Sequence, residues 1–398
     1  MPAEPSAVSD VDPNPLWGDD WPGVRALWPL EPTVAHLNHG SYGAVTQPVL
    51  DEQQSWRDRM ESNPLRFFNR ELPSALVAAR AEVGAFLGAT EGSLAFVANA
   101  TAGASTVLAS FPLEPGDAVL LTDHAYGAVR IAADRFVPER RATVDTVHLP
   151  LAADDEEVIA TVLGAVHERT RLVLLDQVTS PTARRLPLVT LVPALQERGV
   201  AVLVDGAHAP GMLAVDVERL GADFFVGTLH KWCCAPRGTG VLHAAERWRP
   251  VLRPLVASWG EAEGFPAAFD DTGTQDPTPW LAAPRALRVL ESLGLDRLRR
   301  HNVELAVAGQ LEVARALRVP TTDLPRDAAV SMQLVPLPEG VAATPAGASA
   351  LQDRIGAESA VEVAITSFAG RGYVRLSAHA YNAPADYRRL AADLPSLL

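Results

Sequence analysis

Lysine is almost missing from this chain. Its 398 residues carry 34 lysines and arginines together, and only one of these, Lys231, is a lysine. Where any cation serves, the sequence uses arginine, so a position kept as lysine asks for a primary amine. A guanidinium is always protonated and cannot attack a carbonyl, whereas an amine can lose its proton and form a Schiff base. Cysteine is nearly as scarce. Cys233 and Cys234 are the two present, and being adjacent they exclude a disulfide framework. Positive charge is in deficit overall: the net charge is -14, and no basic run offsets it, which excludes a nucleic-acid partner. An anionic small molecule remains compatible with local arginines. No apolar run reaches membrane-spanning length. The first positive side chain is Arg25, so no basic leader is expected and the chain reads as a soluble cytoplasmic protein without a membrane partner.

What is present is apolar and periodic. Hydrophobic residues make up 48% of the chain, enough for a sizeable core in one two-lobed unit. Short apolar runs at Leu94–Val97, Ala118–Leu121, Leu172–Leu175, Val200–Val204 and Phe224–Val226 read as buried strands. Helical patterns over 153–167 and 189–198 separate some of them. Continuous apolar strands alternating with helices imply a mostly parallel sheet covered on both faces, a doubly wound α/β domain. Residues 1–30, rich in Pro, Asp and Trp, read as an N-terminal arm in extended form. Residues 31–275 then form the large domain, whose N-terminal segment contributes to the small lobe. A helical stretch over 281–318 leads into a tail with strand-like Val361–Ile365 and Tyr373–Leu376, giving a smaller α+β C-terminal domain over 276–398.

The chemistry gathers where strands end. Val200–Val204 runs into Asp205-Gly206-Ala207-His208, and ligands of parallel sheets sit outside the carboxyl ends of strands. Lys231 follows the next expected strand. A carboxylate and a nucleophilic amine at neighbouring strand ends can address the two ends of one flat cofactor. Pyridoxal phosphate needs that pair: the carboxylate keeps its ring nitrogen protonated and the lysine holds its aldehyde as an imine. Upstream, Phe96–Ser105 passes from a strand into small residues opening a helix. Asn99 is suited to cap that helix, and a helix N-terminus favours an anion such as the cofactor phosphate.

Several motifs then carry a resemblance. Val204-Asp205-Gly206-Ala207-His208-Ala209-Pro210-Gly211, Gly221-Ala222-Asp223-Phe224, His230-Lys231-Trp232 and Gly238-Thr239-Gly240 resemble the class V aminotransferase family of fold type I pyridoxal phosphate enzymes. Leu37–Gly43, Asn99-Ala100-Thr101, Asp123–Gly127 and Arg375–Asn382 are similar to its isopenicillin N epimerase-like branch. The resemblance spans residues 35–390. It implies that Lys231 is the imine-forming residue and proton shuttle. Asp205 pairs with the ring nitrogen, and His208 bonds the phenolic oxygen. His124 or Tyr126 stacks on the ring and supplies the second catalytic group. Ala100, Thr101, Thr228 and His230 surround the phosphate, and Ser180 lies close to the ring. Gly273 and Thr274 reach the phosphate from a partner subunit, which implies a homodimer with shared active sites. Arg375 grips the substrate carboxylate bidentately, with Asn38 nearby. No metal is implied.

The resemblance bounds the reaction less tightly than the cofactor. Cysteine desulfurases of the same family need a mobile cysteine upstream of the carboxylate-binding arginine, and Gly356–Val361 has none. The implied activity is epimerisation at the α-carbon of an amino acid in specialised metabolism. The alternatives are C–S β-elimination from a cysteine conjugate, transamination and decarboxylation. A non-catalytic cofactor-binding module would bring a DNA-binding appendage, and residues 1–30 are too short and too acidic for one.

Overall fold

A computed structural model of the chain describes residues 18–398. The chain divides into two units. The larger comprises Gly40–Leu295 with Pro325–Val330, and the smaller comprises residues up to His39, Asp296–Leu324 and Ser331–Leu398.

The larger unit is built on a seven-stranded sheet. Its strands are β1 (Leu94–Val97), β2 (Ala118–Thr122), β3 (Thr143–Val147), β4 (Thr170–Asp176), β5 (Ala201–Gly206), β6 (Phe224–Thr228) and β7 (Gly240–Ala244). They lie in the order β1-β7-β6-β5-β4-β2-β3. All run parallel except β7, which pairs antiparallel with both β1 and β6. The five apolar runs of the sequence are β1, β2, β4, β5 and β6. Val202, Leu203, Val204, Phe224, Phe225 and Val226 are fully buried, each contributing about 1.5–3 kcal/mol by leaving water. The unit's helices include α1 (Gln47–Ser62), α2 (Leu72–Leu87), α3 (Ala100–Ser110), α4 (Gly127–Phe136), α5 (Asp155–Ala165), α6 (Leu188–Gln196) and α7 (Thr278–Leu293). Helix α7 packs against α1 and α2, so this unit extends to Leu295, past the boundary at 275 expected from the sequence.

The smaller unit holds a three-stranded antiparallel sheet of β8 (Met332–Pro336), β9 (Ala364–Phe368) and β10 (Arg371–Ser377), with β10 in the centre. Around it lie α8 (Leu295–Ala316), α9 (Pro345–Ser359) and α10 (Pro384–Asp393). Two short strands, Ala35–His36 and Val361–Glu362, pair in parallel. Of the arm expected to be extended over 1–30, residues 1–17 lie outside the described part. The remainder is not extended: Gly18–Asp20 and Trp21–Arg25 are helical, and Trp28 is buried. The tryptophans decide this. Trp21 Nε1 donates to the Ala380 carbonyl (3.0 Å), and Trp28 packs edge-on against His379 and Tyr381.

In the larger unit the loop after β6 is closed by its own backbone hydrogen bonds. The Leu229 N–H donates to Thr239 (2.9 Å), the Ala235 N–H returns to Leu229 (3.0 Å), and the Cys234 N–H donates to Lys231 (3.0 Å). Two glycines let other segments close on this loop. A Cβ at Gly43 would collide with the His230 carbonyl, and one at Gly211 would collide with the Trp232 carbonyl. Both also have positive φ, 67° and 87°, which penalises any side chain. Gly211→Ala should therefore cost about 2–4 kcal/mol in urea unfolding, from overpacking plus backbone strain. Gly164→Ala is the control: that Cβ meets nothing within 4 Å, and the change in the last turn of α5 should be neutral or stabilising by about 0.5–1 kcal/mol. Equal stability of the two variants would contradict the clamp.

Candidate active site

The carboxyl ends of β1, β2, β4, β5 and β6 lie along one edge of the larger unit's sheet, because these strands are parallel. Asn99 follows β1, His124 and Tyr126 follow β2, Asp176 ends β4, Asp205 is near the end of β5, and Thr228 ends β6. Right-handed crossovers through α3 to α6 bring these positions to a common edge.

Asp205 is buried at 3% exposure. Its Oδ1 accepts a hydrogen bond from the Ala207 N–H (2.9 Å). Burial pushes its carboxyl above the usual carboxylate range, and the Ala207 N–H and the positive charge of Lys231 draw it back down. Lys231 Nζ lies 3.2 Å from His208 Nε2 and 6.0 Å from the centre of the Tyr126 ring. His208 is also buried, and its Nδ1 faces Trp232 Nε1 at 3.4 Å. Indole N–H can only donate, so His208 Nδ1 is the acceptor in this long contact. The lysine, the two aspartates and the histidine thus converge from three consecutive strand ends.

A phosphate-sized anion has a natural seat beside them. Asn99 caps α3 through a bond from the Ala102 N–H to its Oδ1 (2.9 Å). Ala100 and Thr101 open the helix, whose first N–H groups have no intrahelical acceptor. Gly240 of β7 lets the strand run against the Asn99 backbone, where a Cβ would collide. Thr228 Oγ1 donates to the Ala207 carbonyl (2.8 Å), tying β6 to the loop after β5. His230 Nδ1 is buried with no hydrogen-bond partner, and burial followed by Lys231 lowers that ring to a pKa of about 4. It is therefore neutral at pH 7. A dry carboxylate, a lone primary amine, an unpartnered ring nitrogen and a capped helix N-terminus match the donor set that pyridoxal phosphate requires.

His124 and Tyr126 differ sharply. His124 is fully buried; its Nδ1 meets Thr182 Oγ1 at 2.6 Å and its Nε2 meets the Leu149 carbonyl at 2.8 Å. Burial lowers its pKa. With both nitrogens committed, it has none to offer a substrate proton. Tyr126 is 44% exposed, and its ring is the one that stands near Lys231. Ser180 is half-buried in the loop after β4, next to Thr179, whose hydroxyl meets Thr182 Oγ1 at 2.6 Å. Gly273 and Thr274 lie on an exposed loop ahead of α7. In the smaller unit, Arg375 of β10 is buried and its Nη2 donates to Asn38 Oδ1 (3.4 Å), so the two residues expected at a substrate carboxylate are together. Cys233 and Cys234 are both buried.

Asp176 is the residue that reading the sequence left out. It is in register with Asp205 on the neighbouring strand and buried at 2% exposure. A signal existed: Leu172–Leu175 ends in Asp176 just as Val200–Val204 ends in Asp205. Thr182 had no such signal, because only the folded loop brings it to His124.

Comparison with known proteins fits this geometry. The aminotransferase class-V profile matches residues 43–390. Isopenicillin N epimerase of Amycolatopsis lactamdurans is 33% identical over 95% of this chain and 98% of its own length. A putative L-cysteine desulfhydrase of Oryza sativa is 30% identical over 90% of this chain and 82% of its own length. Among solved structures, a variant of C-DES with glycine covalently linked to its pyridoxal phosphate has a TM-score of 0.78 at 18% identity, covering 94% of this chain and 98% of that one. That likeness fixes the fold: fold type I, with its mostly parallel central sheet. This chain belongs to the aminotransferase class-V family and is a pyridoxal phosphate enzyme.

Proposed function

We propose that the enzyme inverts the α-carbon of an amino-acid substrate, an epimerisation of the isopenicillin N epimerase type. The observation that carries this reading is the surroundings of Lys231, where a titratable amine and the phenol ring of Tyr126 meet at the sheet edge. When bound, pyridoxal phosphate supplies an electron sink for negative charge at the α-carbon. Lys231 would move the α-proton on one face, and Tyr126, whose ring centre stands 6.0 Å from Lys231 Nζ, would serve the other. Asp205 would hold the ring nitrogen protonated, and His208 would bond the phenolic oxygen. Ala100, Thr101, Thr228 and His230 hold the phosphate, and Ser180 lies beside the ring. Arg375 takes the substrate carboxylate with Asn38 at its side. A homodimer is part of this reading, with Gly273 and Thr274 reaching the phosphate of the partner subunit.

A second reading is C–S β-elimination from a cysteine conjugate. The desulfhydrase relative supports it, and so does His124, whose committed nitrogens leave one group fewer for a two-base mechanism. Elimination needs only Lys231 and a β-leaving group. Persulfide chemistry on an enzyme cysteine is disfavoured, because both cysteines are buried and the stretch Gly356–Val361 upstream of Arg375 holds none.

Borohydride reduction of the holoenzyme followed by peptide mapping should place the cofactor label on Lys231. Lys231→Ala should lose the visible absorption and the turnover, and Lys231→Arg should fail too, since it keeps charge without a nucleophile. Full activity in either variant would sink the assignment.

Asp205→Asn keeps the shape and removes the charge. We expect turnover to fall about a hundredfold or more, the usual size for a positioned charge or proton-transfer group. Near-normal turnover would reduce Asp205 to a turn residue.

The two reactions separate in heavy water. With an L-amino acid, the epimerase reading predicts deuterium at the α-carbon and build-up of the D-isomer, abolished by Tyr126→Phe. Pyruvate or free thiol from an S-substituted cysteine, undiminished by Tyr126→Phe, would instead establish the lyase.

A further inference from the structure

We propose that Asp176 is the proton-carrying partner of Asp205, a positioning residue that holds this carboxyl pair at a single negative charge facing the cofactor's ring nitrogen. The proposal rests on the ring-nitrogen reading of Asp205. Three observations lead to it. Asp176 and Asp205 are direct register partners on adjacent parallel strands, so their side chains leave the same face of the sheet about 5 Å apart. Both are almost completely buried. Their hydrogen bonding is unequal: Asp205 receives the Ala207 N–H, while Asp176 Oδ2 has no partner.

Two carboxylates this close in a dry site cannot both ionise, and the pair keeps one proton. The charge goes where donors are. Asp205 has a backbone N–H and the positive charge of Lys231 to stabilise it. On Asp176, burial and then the negative charge of Asp205 push the carboxyl well above the usual range, against its own backbone N–H and a weaker pull from Lys231. The charged groups acting on the pair are thus Asp205 on Asp176 and Lys231 on both, with His208 adjacent to that lysine. Gln177, which follows Asp176, is uncharged, and its backbone N–H donates to the Asp205 backbone carbonyl (2.8 Å). A neutral Asp176 presents an O–H that can donate toward Asp205, leaving one well-defined anion for the ring nitrogen. A doubly charged pair would over-stabilise every cation in the site, Lys231 included.

The test uses holoenzyme and three variants. In infrared difference spectra at pH 7, wild type minus Asp176→Asn should contain the carbonyl stretch of a protonated carboxylic acid. The pH titration of the visible cofactor absorption should have the same midpoint in Asp176→Asn, because a neutral amide donor replaces a neutral acid donor. In Asp176→Ala, which leaves Asp205 without that donor, the midpoint should rise. A carboxylate band in the difference spectrum, together with a midpoint lowered by about one unit or more in Asp176→Asn, would mean that a charge was removed, and would overturn the proposal. So would the absence of an acid band with no movement in either variant. Asp205→Asn reports separately on the underlying reading: normal turnover there would remove the ring-nitrogen role of Asp205, while the acid band still reports the proton on Asp176.

Discussion

A carboxylate at Asp205, where only 3% of the residue meets solvent, would cost several kcal/mol as an isolated charge. What makes the charge tolerable is the pairing of Asp205 with the Ala207 N–H and Lys231. The rest of the larger unit follows from the need to hold these groups still. β5 and β6 are anchored by fully buried apolar runs. The loop carrying Lys231 is closed by its own backbone bonds and clamped at Gly43 and Gly211. Thr228 fastens β6 to the loop that supplies the Ala207 donor. On the proposed reading, the charge pair facing the cofactor thus rests on strands buried on both faces, and Tyr126 beside it is 44% exposed.

Much of this was legible in the residues, and the reason is physical. A strand buried on both faces must be apolar throughout, so β1, β2, β4, β5 and β6 stand out as runs. β3 does not, because it is an edge strand, and Thr143-Val144-Asp145-Thr146 is exposed or half-buried with only Val147 buried. β7 is hidden by Gly240 and His243, which serve the Asn99 crossing and a bond to Glu218. The scarcity of lysine marked Lys231 before any fold was known. Local sequence could not rank His124 against Tyr126. That difference is made by Thr182 and Leu149, far along the chain, which claim both nitrogens of His124. The arm over 18–30 escaped for a similar reason, since its proline-rich composition conceals two tryptophans with partners near residue 380.

The same machinery serves several reactions in this family, so the fold alone does not choose the product. On the proposed reading, Lys231 and Asp205 serve all of them. What distinguishes epimerisation from elimination is a second proton carrier and the fate of the β-substituent. The committed His124 narrows the second carrier to Tyr126, which makes that tyrosine the residue on which the choice between the two reactions hangs.

The central claim is that Asp205 presents one negative charge to the ring nitrogen of pyridoxal phosphate. The most direct measurement is the nitrogen-15 resonance of that nitrogen in enzyme reconstituted with labelled cofactor. The account predicts a protonated ring nitrogen at neutral pH in the wild type and an unprotonated one in Asp205→Asn. An unprotonated nitrogen in the wild type, or a protonated one that survives the substitution, would contradict it.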